Sequence, residues 1–208
     1  MNTLATAHES AMEPLFTLQW PEFLVADRLR KLLPKSQGYS ILVPASRQEK
    51  GIDLALLKKH GSRPSRTITL QVKSSRTYGG SEPKRETTVR FAHRTWFHRF
   101  PVPDEADFIV LFGLYAPDRS QTKRVTAAWY RDCTLLFTKA EMHVFMANCL
   151  TVSGKPDRMF GFGFNDPHAV FQTRGDHRRR LTDFSDHLLE NRLHLLTDAL
   201  ASPMNPLP

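Results

Sequence analysis

The sequence predicts an α/β fold, a sandwich built on a mixed central sheet, and three observations support that prediction. Apolar residues recur with helical spacing through 21–33, shorter segments of strand character follow within 39–73, and a strongly apolar segment covers 106–115. A period of 3.6 residues marks a helix with one buried face, whereas alternation or a short unbroken apolar run marks a strand. Helices and strands in the order α-β-β-β, then β, β and α, indicate layers packed around one sheet.

The bulk composition indicates one folded domain with a basic surface. The chain has 208 residues, of which 40% are hydrophobic and 10% aromatic, so it can bury a sizeable core. Its 29 Lys and Arg residues against 21 Asp and Glu residues give a formal net charge of +8. This charge favours a polyanionic partner, but it does not separate DNA from RNA or from an anionic membrane surface.

Cysteine usage and the N-terminus indicate a reduced, aqueous compartment. Cys133 and Cys149 have no CxxC spacing and no Cys/His cluster beside them, which argues against a disulfide framework and a structural zinc site. The first residues lack the basic and apolar regions of a signal peptide. Since no apolar run approaches the length of a bilayer span, we expect a cytoplasmic protein with no membrane association.

The first half of the chain is predicted to form one helix and three strands. Residues 1–19 are expected to be a flexible lead-in. In the helix at 21–33, Pro21 suits the first turn and Val25, Ala26, Leu29 and Leu33 form the inner stripe. Strands are predicted at 39–43, 52–57 and 67–73. The Gly- and Ser-rich segment 74–90 is predicted to be a loop or a weak extension.

The second half continues the sheet and ends in a helix. We predict strands at 106–115 and 125–130, and a helix at 138–148 with Thr138 as N-cap and Glu141 at the capping-box position. The segment 151–180 has no clear pattern, and 181–200 is predicted to be helical. The predicted organisation is a lead-in at 1–19, a core domain at 20–150, and a C-terminal extension at 151–208 whose terminal helix packs on the core.

Four polar residues lie at positions that the hydrophobic pattern places in or beside the predicted core. Asp53 interrupts the apolar run at 52–57, and burying an unpaired carboxylate costs several kcal/mol unless a cation lies nearby. Gln71 and Lys73 share one face of the strand at 67–73. Glu22 precedes Val25 by three residues and therefore lies on the inner stripe of the helix. Each has an ordinary structural explanation alone, but together they predict a site.

The segments WPEFLVADRL, KGIDLALL and TITLQVKSS together resemble the PD-(D/E)xK nuclease superfamily, whose fold is restriction-endonuclease-like. The family pattern is a helix acid, a strand Asp after a Gly-containing turn, and (E/D/Q)-x-K on the next strand. The resemblance covers about residues 20–76 and implies a fold of the order αβββαβ around a mixed sheet. This chain carries the Gln-x-Lys variant of the pattern.

The resemblance implies a metal-dependent nuclease that hydrolyses phosphodiester bonds of DNA with Mg²⁺ or Mn²⁺. Asp53, the Gln71 side chain and the Val72 carbonyl would bind the ion, and Glu22 would bind it through a water molecule. Lys73 would orient the attacking water or neutralise charge on the phosphate. Nucleic acid is the implied partner, with DNA favoured over RNA, and a homodimer is a further expectation.

Several basic and polar residues are predicted to contact the nucleic acid. Ser74 and Ser75 follow the lysine, and a loop with Tyr78, Gly79 and Gly80 is a candidate flap. Arginine and lysine suit phosphate groups; the predicted set is Lys58, Lys59, Arg63, Arg66, Lys84, Arg85, Arg178, Arg179 and Arg180.

Two other functions stay open on the sequence. Because Gln71 is neutral where most family members carry an acid, one alternative is a catalytically degenerate nuclease-fold module that binds nucleic acid or a partner protein. Alternatively, Asp53 and Lys73 form a structural ion pair in a basic protein without catalytic activity.

Overall fold

The computed structural model describes residues 20–44, 51–60, 63–79, 91–115, 131–166, 168–176 and 181–201. In these ranges the chain forms helices and strands in the following order. They are α1 (Trp20–Leu32), β1 (Tyr39–Leu42), β2 (Leu54–His60), β3 (Arg63–Gly79), β4 (His93–His98), β5 (Phe108–Tyr115), β6 (Arg131–Thr138), α2 (Lys139–Asn148), β7 (Met159–Phe164), β8 (Val170–Arg174) and α3 (Leu193–Ala201). Short 3-10 turns cover Lys35–Gln37 and Ser185–His187.

The long strand β3 joins two parts of the sheet. Its first half pairs antiparallel with β2, which pairs with β1. Residues 70–76 pair in parallel with β5, and β6 continues antiparallel on the far side of β5. The last three residues of β3 pair with β4, to which β7 and then β8 are added. The predicted α/β class with a mixed central sheet is therefore confirmed.

One face of the central sheet, here called the α1 face, is covered by α1 and α3. Val25 and Leu29 of α1 are fully buried against alternate residues of β3, including Leu70 and Val72. Leu196 of α3 and its neighbour one turn on belong to the same apolar cluster. The 3.6-residue stripe of α1 thus packs on the period-two pattern of the strands, as the sequence predicts.

The opposite face, here called the α2 face, is covered by α2 and by the sheet of β4, β7 and β8. The α2 face has its own apolar cluster. Ile109 and Leu111 of β5 belong to it, together with Phe160 and Phe162 of β7. Helix α2 adds Met142 and two further residues of its buried side. The glycines that alternate with phenylalanine in β7 leave room for close neighbours: a Cβ on Gly161 would lie 2.2 Å from the Trp96 side chain.

Several predicted boundaries are wrong. β3 does not end at residue 73 but continues to Gly79, because β5 and β4 supply partners for its second half. The helix predicted over 181–200 begins only at Leu193. Before it, Asp183 makes an isolated bridge with Phe171, and Leu188 makes one with Leu135. These tertiary pairings hold the segment out of helical geometry.

The region without a predicted pattern, 151–180, contributes β7 and β8 to the same core as α2. The boundary predicted at residue 150 falls inside one apolar cluster, and Leu196 and Leu200 of the terminal helix belong to the other. The strand predicted at 125–130 and the lead-in at 1–19 lie outside the described residues. Within the described ranges, no helix has both the length and the apolar character that crossing a membrane requires.

Candidate functional site

Asp53 lies at the point where the pairing of β2 with β3 ends. The strand begins at Leu54 rather than at Ile52, so Asp53 precedes β2 instead of interrupting it. Its N–H donates to the Leu70 carbonyl at 2.9 Å, and its Oδ2 accepts the Val72 N–H at 2.6 Å. The Asp53 carboxylate therefore replaces a further residue of β2 as the hydrogen-bond partner of β3. This bond fixes the carboxylate at the edge of β3.

The turn before Asp53 requires glycine. Gly51 has a φ of +84°, in the left-handed region that residues with a Cβ rarely adopt. A Cβ on Gly51 would also lie 2.6 Å from the Cβ of Pro103 and 3.1 Å from Oε2 of Glu105. The Gly-x-Asp spacing thus brings the chain close to the segment before β5 and directs Asp53 to the edge of β3.

The Val72 carbonyl points toward the same edge. In a β-strand the N–H and C=O of one residue face the same side, so a residue that donates toward one edge also presents its oxygen there. Because the Val72 N–H is bonded to Asp53, its carbonyl oxygen faces the edge at which that carboxylate lies. Asp53 and Val72 are brought together as the sequence hypothesis requires.

Gln71 is the polar side chain with the least usual environment at this site. It lies on the α2 face opposite Ile109 of β5 and is only 8% exposed. Its Oε1 is buried and has no hydrogen-bond partner among the described residues. An unsatisfied buried acceptor costs about 1–3 kcal/mol, so the oxygen is suited to a ligand such as a cation or a water molecule.

Lys73 shares the α2 face with Gln71, and an aromatic ring holds its ammonium group. Lys73 pairs with Leu111 across the parallel ladder, and its Nζ lies 5.3 Å from the centre of the Phe100 ring. A cation over an aromatic face is stabilised by the ring quadrupole without losing its charge. The lysine is half-buried and fixed in position while keeping hydrogen atoms to donate.

The segment between β4 and β5 forms a wall over these residues. Phe100 contacts Lys73, Pro103 and Glu105 lie against Gly51, and the Glu105 carbonyl accepts from Thr69 Oγ1 at 2.6 Å. Asp107 accepts the Thr69 N–H at 2.8 Å. Sequence reasoning missed this wall. Its residues are far from the motif along the chain, and the only local signal is a polar, proline-rich stretch before an apolar strand.

Glu22 is placed differently from the other three predicted residues. It lies in the first turn of α1, half-buried, on the helix that covers the α1 face. Gln71 and Lys73 point to the α2 face. To act with Asp53, the Glu22 side chain must extend from the α1 face to the edge of β3 at which β2 begins. The assignment of Glu22 stays a prediction.

The predicted nucleic-acid contacts do not all gather at this site. Lys58 and Lys59 lie near the far end of β2, roughly 17–20 Å from Asp53 at about 3.3 Å per strand residue. Lys58 donates to the Tyr39 hydroxyl and stacks over its ring, while Arg66 pairs across from Lys58. The hairpin end of β2 and β3 is therefore a basic surface separate from the Asp53 edge.

The two serines after Lys73 are in the middle of β3, not at a strand end. Ser74 is exposed and alternation directs it to the α1 face, away from Lys73. Ser75 is on the same face as Lys73, but its hydroxyl donates to the Trp96 carbonyl of β4. Residues Gly80, Lys84, Arg85, Arg178, Arg179 and Arg180, with the side chains of Arg63 and Tyr78, lie outside the described part.

The Asp53 carboxylate, the Val72 carbonyl and the Gln71 amide oxygen are donor types that fit a divalent cation, although with little negative charge. One carboxylate, one amide oxygen and one backbone carbonyl are the hard oxygen ligands that Mg²⁺ and Mn²⁺ accept, with water in the remaining positions. The orphaned Gln71 oxygen supports this fit. In the part of the chain that the structure describes, no three His, Cys, Asp or Glu side chains cluster as metal ligands.

The chain matches no family model, no curated protein and no solved structure.

Proposed function

We propose that the chain is a Mg²⁺- or Mn²⁺-dependent nuclease that hydrolyses phosphodiester bonds of DNA at the Asp53 edge of β3. The observation that carries the proposal is the buried Gln71 oxygen, which has no partner among the described residues and lies next in sequence to Val72, the residue whose N–H the Asp53 carboxylate accepts. Lys73 on the adjacent strand position completes the group. The basic net charge of +8 is consistent with a polyanionic substrate.

A restriction-endonuclease-like fold is part of the proposal. The order β1-β2-β3-β5, with an antiparallel meander followed by a parallel strand, supports it. One element departs from the αβββαβ pattern: the described part of the connection from β3 to β5 holds β4 and no helix. Helix α2, which covers the corresponding face, instead follows β6.

The chain's own groups have distinct roles in the proposed reaction. Asp53, Gln71 and Val72 would hold the ion, and Glu22 would assist through a bound water. A divalent ion bound there would lower the pKa of a water molecule and polarise the phosphate. Lys73 would donate hydrogen bonds to the non-bridging phosphate oxygens and offset the charge that grows on them during attack. Phe100 keeps the lysine in place for that contact.

The decisive experiment compares Lys73→Ala with a matched lysine variant. Supercoiled, linear and branched DNA are incubated with full-length protein in Mg²⁺ or Mn²⁺ and in EDTA. We expect cleavage by the wild type only with metal, and a loss of about 10²–10⁴-fold in Lys73→Ala. Lys35→Ala, which removes an exposed lysine outside the predicted nucleic-acid contacts, should cleave normally. Cleavage that survives Lys73→Ala unchanged would rule out this site.

A binding module without catalytic activity is the second candidate, and two observations favour it. Gln71 supplies no charge, and the described residues hold no cluster of three metal-binding side chains. Calorimetric titration with Mn²⁺ separates the candidates, because a degenerate site shows no heat that depends on Asp53. In an intact site, Gln71→Glu adds a negative charge and should tighten Mn²⁺ binding.

A further inference from the structure

An open cleft lies directly beside the Lys73 site. It has a volume of about 710 Å³ and runs between the segment after β4 and the outer side of α2. Phe100 belongs to both features, because its ring lines the cleft and also contacts the Lys73 ammonium group. Phe100 is therefore the boundary that the cleft and the Lys73 site share.

The charges around the cleft all have one sign. Arg99 and Arg158 line it together with His143 of α2, and none of the described residues that line it carries a carboxylate. The backbones of the two arginines are joined, since the Arg99 N–H donates to the Arg158 carbonyl at 2.8 Å. Their side chains consequently start from neighbouring points. Both residues are exposed, so each guanidinium can meet a ligand.

The Arg99 guanidinium is held in place by the end of α2. Its Nη1 donates to the Cys149 carbonyl at 3.2 Å, which uses one of its five N–H groups and leaves the others for a ligand. Arginine binds phosphate with paired hydrogen bonds, and a tethered arginine loses less side-chain freedom on binding. The floor of the cleft is apolar, with Phe100, Val102 and Met146, which suits a sugar or base beside the phosphate.

We infer that this cleft binds the DNA strand on one side of the phosphate held at Lys73, with Arg99 and Arg158 contacting successive phosphates. The inference rests on the proposed function for the identity of the substrate. It adds a binding surface that the sequence patterns did not indicate, since neither arginine belongs to a basic run. The hairpin end of β2 and β3 is not needed for this path.

The test measures equilibrium binding of a short labelled DNA duplex and single strand by full-length protein in EDTA, over a series of salt concentrations. Counterion release makes each phosphate contact worth about fivefold in affinity at about 0.15 M salt, or roughly 30-fold for two contacts. Arg99→Gln/Arg158→Gln should lose that much affinity and lower the magnitude of the salt slope by about 2. Lys35→Gln/Lys155→Gln removes the same charge from exposed positions outside the cleft and should keep the slope.

Two further measurements keep the outcomes distinct. Arg158→Gln alone leaves the Arg99 tether intact and should lower the slope by about 1, while thermal melting confirms that each variant is folded. Equal salt slopes for the cleft and control variants, or no DNA binding by the wild type, would overturn the inference. The proposed nuclease function is judged separately, by metal-dependent cleavage in wild type and Lys73→Ala. Loss of that activity with an intact cleft effect contradicts only the proposed function.

Discussion

Gln71 shows how a single side chain distinguishes a ligand site from ordinary packing. Its neighbours on the same face, Ile109 and Leu111, are apolar and buried, and an apolar residue at position 71 would complete that cluster. The chain instead places a buried oxygen there without a partner among the described residues. That arrangement lowers stability unless something binds, because the oxygen has given up its hydration.

Replacement of Gln71 by Met is expected to uncouple stability from function. Met matches the volume of Gln and needs no hydrogen bond, so the metal-free protein should be as stable as the wild type or more stable by about 1–2 kcal/mol. Bound Mn²⁺ at 100 times its dissociation constant should stabilise the wild type by about 2.7 kcal/mol and leave Gln71→Met unaffected. Urea unfolding with Mn²⁺ and with EDTA measures both effects.

Gln172 provides the matched control. It is also buried, at 7% exposure, but its amide donates to the Arg174 carbonyl at 3.2 Å. Gln172→Met should therefore destabilise the protein, since it leaves that carbonyl without its donor, while the response to Mn²⁺ persists. If Gln71→Met is destabilised to the same degree as Gln172→Met, the oxygen of Gln71 has a structural role and the ligand hypothesis fails.

At the scale of single elements, local signals predicted what local physics determines. The apolar stripe predicted α1, and Thr138 with Glu141 predicted α2, because periodicity and capping act within one or two turns. Such local signals do not predict the length of β3. Its second half is a strand because β5 and β4 lie beside it, and those partners are 38 and 14–18 residues away in the chain, respectively.

In the candidate site too, local sequence signals indicate some residues, whereas others reach the site only through the tertiary fold. Asp53 could be singled out because it is a carboxylate in an apolar segment, and Gln71 and Lys73 because they share one face of the next predicted strand. Phe100, Arg99 and Glu105 could not, since they follow every local rule and meet the site only through the fold. The sequence also did not reveal that Asp53 would continue the ladder by accepting the Val72 N–H, because that bond depends on where β2 stops.

Removal of the α2 cap tests how far one element stabilises the others. The Thr138 hydroxyl accepts the Glu141 N–H, and the Glu141 carboxylate accepts the Thr138 N–H at 2.9 Å. Burial alone would raise the pKa of Glu141, but hydrogen bonds from Arg192 and Thr138 lower it overall, so the carboxylate stays charged for capping. Thr138→Ala should cost about 1 kcal/mol of unfolding free energy, measured by urea denaturation.

The control for this cap is Thr197→Ala in α3. The Thr197 hydroxyl donates to the His194 carbonyl inside its own helix, and it caps nothing. Its removal should change stability by less than about 0.5 kcal/mol. A Thr138→Ala variant as stable as Thr197→Ala would show that the capping box contributes nothing measurable to α2.

For the whole molecule, the two cysteines report whether the chain unfolds as one unit. Cys133 lies in β6 and Cys149 follows α2, yet both are buried in the cluster that β7 completes. Burial raises the pKa of each thiol to about 12, so neither forms thiolate at neutral pH while the core is closed. Labelling by a thiol reagent should require opening of the core, and both thiols should then react at the same rate.

That expectation can be checked by combining thiol labelling with the cap variant. With Cys133→Ala and Cys149→Ala used singly to assign each rate, labelling of the remaining thiol follows the population of the open form when opening is fast relative to reaction. A loss of about 1 kcal/mol in Thr138→Ala should accelerate labelling of both thiols about fivefold. Faster labelling of Cys149 alone would show that α2, with its side of the cleft, opens independently of the central sheet that carries Lys73.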